Sequence, residues 1–245
     1  MSANTFVVAH GAWSAGWAWS KMRPLVAERG ATLVTPTHTG LGERSHLVGA
    51  SIDLSTHVQD VSQVLEYEDL RDVVLIGHSY GGMVATGVAA RCPDRVAALV
   101  YVDAFVPEAG QALLDLLAAD AAEAMRARAD AEGDGWLVPP NPMPPDTPDD
   151  DVAWAAPRRM PQPLATFTQP LEHAPPEELP RAYVYCTIAA PGDVFGQFAA
   201  RAREDERWAY REIVASHNPH ITVPDQLAET LDDLAYVLLA QATRS

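Results

Sequence analysis

The chain has 245 residues, a length that suits one domain with a substantial buried core. Hydrophobic residues make up 48% of it and charged residues 20%, which excludes an intrinsically disordered chain. Its formal net charge of −16 argues against nucleic acid and anionic membrane surfaces as partners, because both would repel an acidic protein.

Apolar strands alternate with helices along most of the chain. In chain order, the pattern predicts a strand at 6–9, a helix at 17–29, a strand at 31–35, a Gly-rich loop at 37–45, a helix at 54–66, a strand at 73–76, a helix at 83–91, strands at 96–102, 182–187 and 208–214, and a closing helix at 225–240. Since such strands favour parallel pairing, we expect an α/β fold with a mostly parallel, doubly wound sheet that helices cover on both faces.

The segment 108–180 differs from the rest of the chain. Residues 112–131 are rich in alanine and predict a helix, whereas the proline and aspartate of 139–151 argue against any regular element there. Because this block leaves the sheet at the carboxyl edge of its strands, we interpret it as a cap inserted into a core formed by 1–107 and 181–245. The alternative is a surface excursion without a functional role.

The sequence carries no sign of a membrane span or of a metal centre. Met1 leads into an apolar run without a charged leader, and no segment approaches about 18 continuous apolar residues. Cys92 and Cys186 lie far apart and belong to no Cys-x-x-Cys or Cys/His cluster, so we interpret them as reduced, buried thiols. We therefore expect a cytoplasmic protein with no metal.

The motif that carries most information is Gly77-His78-Ser79-Tyr80-Gly81, which lies between an apolar strand and a predicted helix. A serine between glycines in that context is typical of a nucleophile elbow, a sharp strained turn that lifts the hydroxyl to the open end of the sheet. Glycines allow the backbones to approach closely there. We therefore predict that Ser79 is a nucleophile.

A serine hydroxyl needs a base to take its proton, and a third group must orient that base. In this architecture the base is a histidine after the last strand, where His217 lies with His220 as its rival. We predict His217 as the base. We interpret His10 and His78 as residues that shape their loops, and four further histidines as surface or loop residues: His38, His46, His57 and His173.

Attack on a carbonyl creates an oxyanion, which needs N–H donors that are already in place. We assign these donors to the backbone N–H groups of Tyr80, directly after the nucleophile, and of Ala12, in the loop after the first strand. Trp13 borders this loop, so we predict that it contacts substrate, whereas Trp17 and Trp19 are interpreted as packing residues.

Together, residues 10–19, the elbow and the closing His217 resemble the α/β-hydrolase superfamily. The closer resemblance is to the branch of plant methylesterases and hydroxynitrile lyases, and residues 37–45 and 101–107 resemble its bacterial esterase-like relatives. The resemblance fades only in the cap. It implies an α/β-hydrolase fold, a Ser-His-acid triad, no cofactor and an ester-type substrate.

One departure from the related lyases concerns the reaction type. Those lyases carry a threonine after the first-strand histidine and a lysine just after the catalytic histidine, where this chain has Gly11 and Asn218. The lysine charge helps to hold a leaving cyanide, and nothing replaces it here. Hydrolysis is therefore favoured over lyase chemistry.

A second departure concerns the triad acid. The plant branch places its aspartate after the strand that ends near Cys186, where Ala189 aligns in this chain and Asp193 follows four residues later. Asp103, however, closes the preceding strand, and an acid there is a known variation in the superfamily. We predict Asp103 as the acid and keep Asp193 as the alternative.

The leading hypothesis is a serine hydrolase that cleaves a carboxylic ester of a small or medium, fairly apolar substrate. The alternatives are a lyase or biosynthetic tailoring enzyme on the same fold, and a protein that binds a ligand without turnover. The expected partner is the small-molecule ester. Because isologous dimers are common, a homodimer is a possible oligomeric state as well as a monomer.

Overall fold

A computed structural model describes residues 4–189 and 192–242 of the chain. The ends of the predicted core segments, at 1–3 and 243–245, lie outside the described residues. So do Ala190 and Pro191, two positions in the stretch that aligns with the acid of the plant branch.

Strands in the described part of the chain form one parallel sheet of six and a separate antiparallel pair. The strands are β1 Thr5–Ala9, β2 Thr32–Val34, β3 Val73–His78, β4 Val96–Val102, β5 Leu137–Val138, β6 Gln162–Pro163, β7 Arg181–Cys186 and β8 Trp208–Ile213. The sheet order is β2-β1-β3-β4-β7-β8, and every neighbouring pair in it is parallel. The predicted parallel α/β architecture is therefore confirmed.

Helices follow most of these strands. The α-helices are α1 Met22–Glu28, α2 Leu54–Tyr67, α3 Gly81–Arg91, α4 Ala119–Glu132, α5 Asp149–Ala155, α6 Ala165–Thr168, α7 Gly196–Glu204, α8 Pro219–Thr222 and α9 Pro224–Ala242, and 3₁₀ turns cover Gly16–Trp19, Gly42–Leu47, Leu113–Leu116 and Ala156–Arg158. Helices α6, α7 and α8 and strands β5 and β6 have no counterpart among the predicted elements.

Two of the predicted boundaries are wrong for reasons that involve proline. The predicted helix 17–29 is divided, because Pro24 would clash with the carbonyl of Ser20 in a continuous helix and is tolerated only in a first turn. Residues 139–151 were expected to be irregular, but α5 begins at Asp149 directly after Pro148. Its first turn holds three aspartates, whose negative charges are favourable at a helix N-terminus.

The hydrophobic core lies on both faces of the sheet. Val7 and Leu75 pack on one face with α2 and α3, while Phe6 and Ile76 pack on the other with α1 and α9. This alternation follows from the two-residue period of side chains along a strand. Because both faces are covered, the accessible positions for chemistry are the strand ends.

The segment 108–180 packs against the loop at the carboxyl end of β1. The backbone N–H of Trp13 donates to Gln162 of β6, and the indole N–H of Trp13 donates to the carbonyl of Val138 in β5. The division of the chain into a core and an inserted cap stays a prediction. Within the described ranges, no helix combines the length and the apolar character that crossing a bilayer requires.

Candidate active site

Ser79 occupies the turn between β3 and α3 in a strained backbone conformation. Its φ is +56°, in the left-handed region that residues other than glycine rarely adopt. A Cβ on Gly81 would lie 2.0 Å from the carbonyl oxygen of Ala9, so only glycine permits the close approach of this turn to β1. The sequence therefore folds here into the sharp turn that the elbow motif predicts.

His217 lies in the loop after β8 and bridges two other polar side chains. Its Nε2 is 2.9 Å from the hydroxyl oxygen of Ser79, and its Nδ1 is 2.7 Å from a carboxylate oxygen of Asp103. The carboxylate can only accept, so Nδ1–H donates to it and Nε2 is left to accept from the serine hydroxyl. This is the geometry that a nucleophile, a base and an orienting acid require.

Asp103 and Asp193 lie in different environments. Asp103 closes β4, is 4% exposed, and its other oxygen accepts from the backbone N–H of Cys186 at 3.3 Å. The exposed carboxylate of Asp193 accepts from the Tyr185 hydroxyl at 2.7 Å and from the backbone N–H of Phe195 at 2.9 Å. The structure thus brings Asp103, and not Asp193, to the imidazole of His217.

Two neighbours hold His217, one at its backbone and one at its ring. Nε2–H of His78 donates to the backbone carbonyl of His217 at 2.7 Å, and the ring of Phe195 stacks on the imidazole at 4.8 Å. Burial lowers the pKa of His78 well below its usual value, which keeps that ring neutral. His78 therefore positions the loop that carries His217, in line with the loop-shaping role that the sequence predicted.

His220, the rival candidate for the base, stacks on Trp19 with ring centroids 4.6 Å apart. Burial lowers the pKa of His220 to about 3, and no hydrogen bond joins its ring to Ser79 in the described part of the chain. The structure brings His217, rather than His220, to the serine.

The two backbone donors assigned to the oxyanion line the same cavity as Ser79. Ala12 follows β1 and Tyr80 follows Ser79, and neither backbone N–H finds an acceptor among residues 4–189 and 192–242. Unpaired backbone N–H groups are uncommon in proteins, so two beside a nucleophile indicate donors that await a ligand.

Trp13 combines packing with exposure to the cavity. Its φ is +58°, its two hydrogen bonds reach β5 and β6, and its ring lies 5.9 Å from that of Phe167. The side chain is buried and also lines the cavity. Trp13 thus lines the cavity that contains Ser79, and its contact with a substrate stays a prediction.

Ser79 and His217 open into a cavity of about 720 Å³. This volume lies in the range of sites for small organic ligands. Most of its lining is apolar and comes from both the sheet loops and the segment 108–180, as shown by Phe105, Leu117, Met125, Met143, Phe167 and Ile188.

The sequence did not predict a buried column of stacked histidines that lies next to the site. His38 stacks between His10 and His57, with ring centroids 3.8 and 4.8 Å apart, and all three are fully buried. His38 lies in a loop, as expected, although it is fully buried. The expectation that His57 is a surface or loop residue is wrong, because it lies buried on α2. For His57 a signal existed, because it shares the apolar face of α2 with Leu54 and Val61.

Hydrogen bonds tie this column to both oxyanion candidates. Nδ1–H of His10 donates to the carbonyl of Gly11 at 2.9 Å, and Nδ1 of His57 accepts from the hydroxyl of Tyr80 at 2.9 Å. Burial lowers the pKa of His10 and of His57 to about 4, so both rings are neutral at neutral pH. The column supports the loop before Ala12 and the side chain of Tyr80.

Two arginines in the cavity, Arg128 and Arg159, were also missed, because their segment has no readable hydrophobic period. Cys92 and Cys186 are both free thiols, but only Cys186 is buried as expected, whereas Cys92 is half-buried. Within the described ranges, no three His, Cys, Asp or Glu side chains are grouped as metal ligands would be.

Comparison with known proteins shows which family the chain belongs to. Residues 6–230 match the Alpha/beta hydrolase family. A carbendazim hydrolyzing esterase from Nocardioides sp. is 37% identical over 237 residues, which cover 92% of this chain and 97% of that protein. Methylesterase 2 from Arabidopsis thaliana is 30% identical over 114 residues, or 42% of this chain and 40% of that protein.

The fold is shared with solved structures as well. An extracellular alpha/beta-hydrolase from a Paenibacillus species superposes with a TM-score of 0.81 at 22% identity, over 94% of this chain and 98% of that one. The resemblance that the sequence motifs indicated, to plant methylesterases and bacterial esterases, is confirmed, and so is the fold. The chain belongs to the Alpha/beta hydrolase family.

Proposed function

We propose that the protein is a serine hydrolase that cleaves carboxylic esters through an acyl-enzyme. The observation that carries the proposal is the pair of hydrogen bonds of His217, to Ser79 on one side and to Asp103 on the other. The names of two relatives, an esterase and a methylesterase, agree with this chemistry.

In the first step, the Ser79 hydroxyl oxygen attacks the ester carbonyl while Nε2 of His217 takes its proton. The carbonyl oxygen gains negative charge and lies against the backbone N–H groups of Ala12 and Tyr80, which strengthens these contacts as the charge develops. Asp103 stabilises the imidazolium through Nδ1–H. The C–O bond to the alcohol then breaks, and the alcohol leaves with the proton from Nε2.

In the second step, water replaces the alcohol. His217 takes a proton from the water, whose oxygen attacks the acyl carbonyl and forms the same kind of oxyanion. The bond to Ser79 breaks, the serine oxygen regains the proton from Nε2, and the carboxylic acid is released.

The residues that distinguish hydrolysis from lyase chemistry support a hydrolase. A Cβ on Gly11 would lie 2.8 Å from Nδ1 of His78 and 3.1 Å from Cβ of Ser79. A threonine, as in the related lyases, would not fit there without a shift of the elbow. Asn218, which follows the base, carries no charge to hold an anionic leaving group.

A panel of p-nitrophenyl esters with increasing acyl length tests the proposal. We expect hydrolysis by the unaltered protein and a loss of several orders of magnitude in Ser79→Ala, with a length optimum set by the apolar cavity. The double variant Ser79→Ala/His217→Ala should lose little more than either single variant, since the two residues act as a unit. Equal rates for the unaltered protein and Ser79→Ala would exclude the proposed function.

A further inference from the structure

The catalytic cavity contains positive charge that no carboxylate neutralises. Arg159 and Arg128 both line it, and neither lies within ion-pair distance of an Asp or Glu side chain among the described residues. In a chain with a formal net charge of −16, acidic partners for surface arginines are abundant. Two guanidinium groups without an ion-pair partner in a mostly apolar cavity therefore call for a ligand with complementary charge.

Arg159 lies next to the loop that carries an oxyanion donor. Its guanidinium carbon is 5.8 Å from the ring centroid of Trp13, and the backbone N–H of the following residue, Met160, donates to the Trp13 carbonyl at 3.4 Å. Trp13 directly follows Ala12. Arg159 therefore lies beside the residue that follows an oxyanion donor, and it lines the same cavity as Ala12 and Ser79.

The donors of Arg159 are largely unused. One Nη1–H donates to the backbone carbonyl of Asn141, while the other guanidinium N–H groups have no acceptor in the described part of the chain. Burial lowers the pKa of Arg159, the sign of a cation that has lost water without gaining a counter-charge. Arg128 instead uses its donors on the Asn141 side chain and on the carbonyls of Pro139 and Pro140.

The carboxylates of the cavity do not supply the missing counter-charge. Asp103 is bound to His217, and Asp193 is bound to Tyr185 and to backbone N–H groups. Asp146 is exposed and makes no ion pair with either arginine. Arg159 thus remains the group with free, charge-bearing donors beside the reacting centre.

We propose that Arg159 binds a carboxylate carried by the substrate, so that the preferred substrates are monoesters of dicarboxylic acids, with Arg128 adding a second positive charge. The inference rests on the proposed ester hydrolysis and names its substrate class. A guanidinium presents a fork of donors that matches the two oxygens of a carboxylate, and such charge-assisted pairs are stronger than neutral hydrogen bonds.

Two esters that differ in one group test this proposal. p-Nitrophenyl hydrogen adipate and p-nitrophenyl hexanoate share an acyl chain and differ in whether it ends in a carboxylate or a methyl group. We expect Arg159→Gln to lower kcat/KM for the adipate ester by about 10- to 100-fold and to change the hexanoate ester by less than about threefold. Spontaneous hydrolysis of each ester is subtracted.

Arg158→Gln is the matched control. Arg158 is the adjacent residue, is exposed, binds the carbonyl of Trp154 and does not line the cavity. It should leave the ratio between the two esters unchanged. An equal loss for both esters in Arg159→Gln, or the same loss in Arg158→Gln, would overturn the proposal.

A binding measurement separates this inference from the proposed function. Monomethyl adipate and methyl hexanoate are titrated calorimetrically into Ser79→Ala and into Ser79→Ala/Arg159→Gln. If no ester is hydrolysed, the proposed function fails, yet carboxylate-dependent binding that Arg159→Gln removes still supports the site. Binding of both compounds alike, or no binding of monomethyl adipate, would refute it.

Discussion

At the scale of single residues, the choice of acid is the sharpest question, because the sequence offers Asp103 and Asp193 and only Asp103 contacts the imidazole of His217. Asp103→Asn should lower kcat by up to about 10⁴-fold, since an amide at this position no longer holds the imidazole in the tautomer that accepts the serine proton. Ester hydrolysis with circular dichroism as a check on folding measures the effect.

Asp193→Asn is the control for that substitution. Its carboxylate contacts Tyr185 and backbone N–H groups but not the imidazole, so we expect kcat to stay within about threefold. A large loss in Asp193→Asn together with near-normal activity in Asp103→Asn would reverse the assignment.

Gly11 is a second residue whose role is steric. In Gly11→Ala the new Cβ meets His78 and Ser79 at 2.8 and 3.1 Å, so the elbow must shift by a few tenths of an ångström or more. Because small misplacements of reacting groups reduce rates steeply, we expect kcat to fall at least about tenfold. Gly49→Ala, where nothing lies within 4 Å of the new Cβ, should behave like the unaltered protein in the same assay.

Sequence was informative about residues where chemistry dictates position. A serine elbow, a histidine after the last strand and an acid at a strand end all follow from what the reaction needs, and the structure brings Ser79, His217 and Asp103 together. The sequence was uninformative about Arg159, because nothing in its proline-rich segment distinguishes it from an exposed arginine such as the adjacent Arg158. The roles of these residues stay predictions until the variants are measured.

At the scale of elements, the strands of the sheet were predictable because buried parallel strands are continuous apolar runs. The boundaries of the helices were less predictable than the strands. Pro24 divides the first helical segment, and α5 begins inside a stretch whose prolines and aspartates had argued against a helix. The order of strands within the sheet depends on long-range packing that no local pattern encodes.

Helix α2 contributes a polar side chain to the interior, and this leads to a stability prediction. His57 links the Tyr80 hydroxyl to the carbonyl of Thr39, with distances of 2.9 and 3.0 Å. His57→Leu leaves both groups without their partner in a buried site, so the free energy of unfolding should fall by about 1–3 kcal/mol in urea titrations.

His46→Leu serves as the comparison for that variant, because His46 is exposed. It should change the free energy of unfolding by less than about 0.5 kcal/mol. If His57→Leu were as stable as His46→Leu, the hydrogen bonds of His57 would contribute nothing measurable to the fold.

At the scale of the whole molecule, buried histidines make stability depend on pH. Burial lowers the pKa of five of them below the usual 6.5: His10, His38, His57, His78 and His220. Above pH 6.5 both the folded and the unfolded chain hold these rings neutral. Below it, the unfolded chain binds protons that the folded chain does not, so acid favours unfolding.

Each such ring lowers the free energy of unfolding by up to about 1.4 kcal/mol per pH unit between its unfolded and folded pKa values. We therefore expect the urea midpoint to fall steeply from pH 6.5 toward pH 4. Replacing His57 by leucine should make this dependence shallower. A midpoint that stays level over this interval would contradict the neutral, buried state of the column.

Among the described residues around the cavity, three other than glycine have positive φ: Trp13 at +58°, Ser79 at +56° and Asp103 at +43°. Such conformations are unfavourable by about 1–3 kcal/mol each. The backbone geometry that serves reactivity at this site therefore lowers the free energy of unfolding. Ser79→Gly should consequently abolish hydrolysis and yet raise the melting temperature. If the inactive Ser79→Gly variant has a higher melting temperature than the active protein, selection for activity has kept the stability of this chain below what its fold permits.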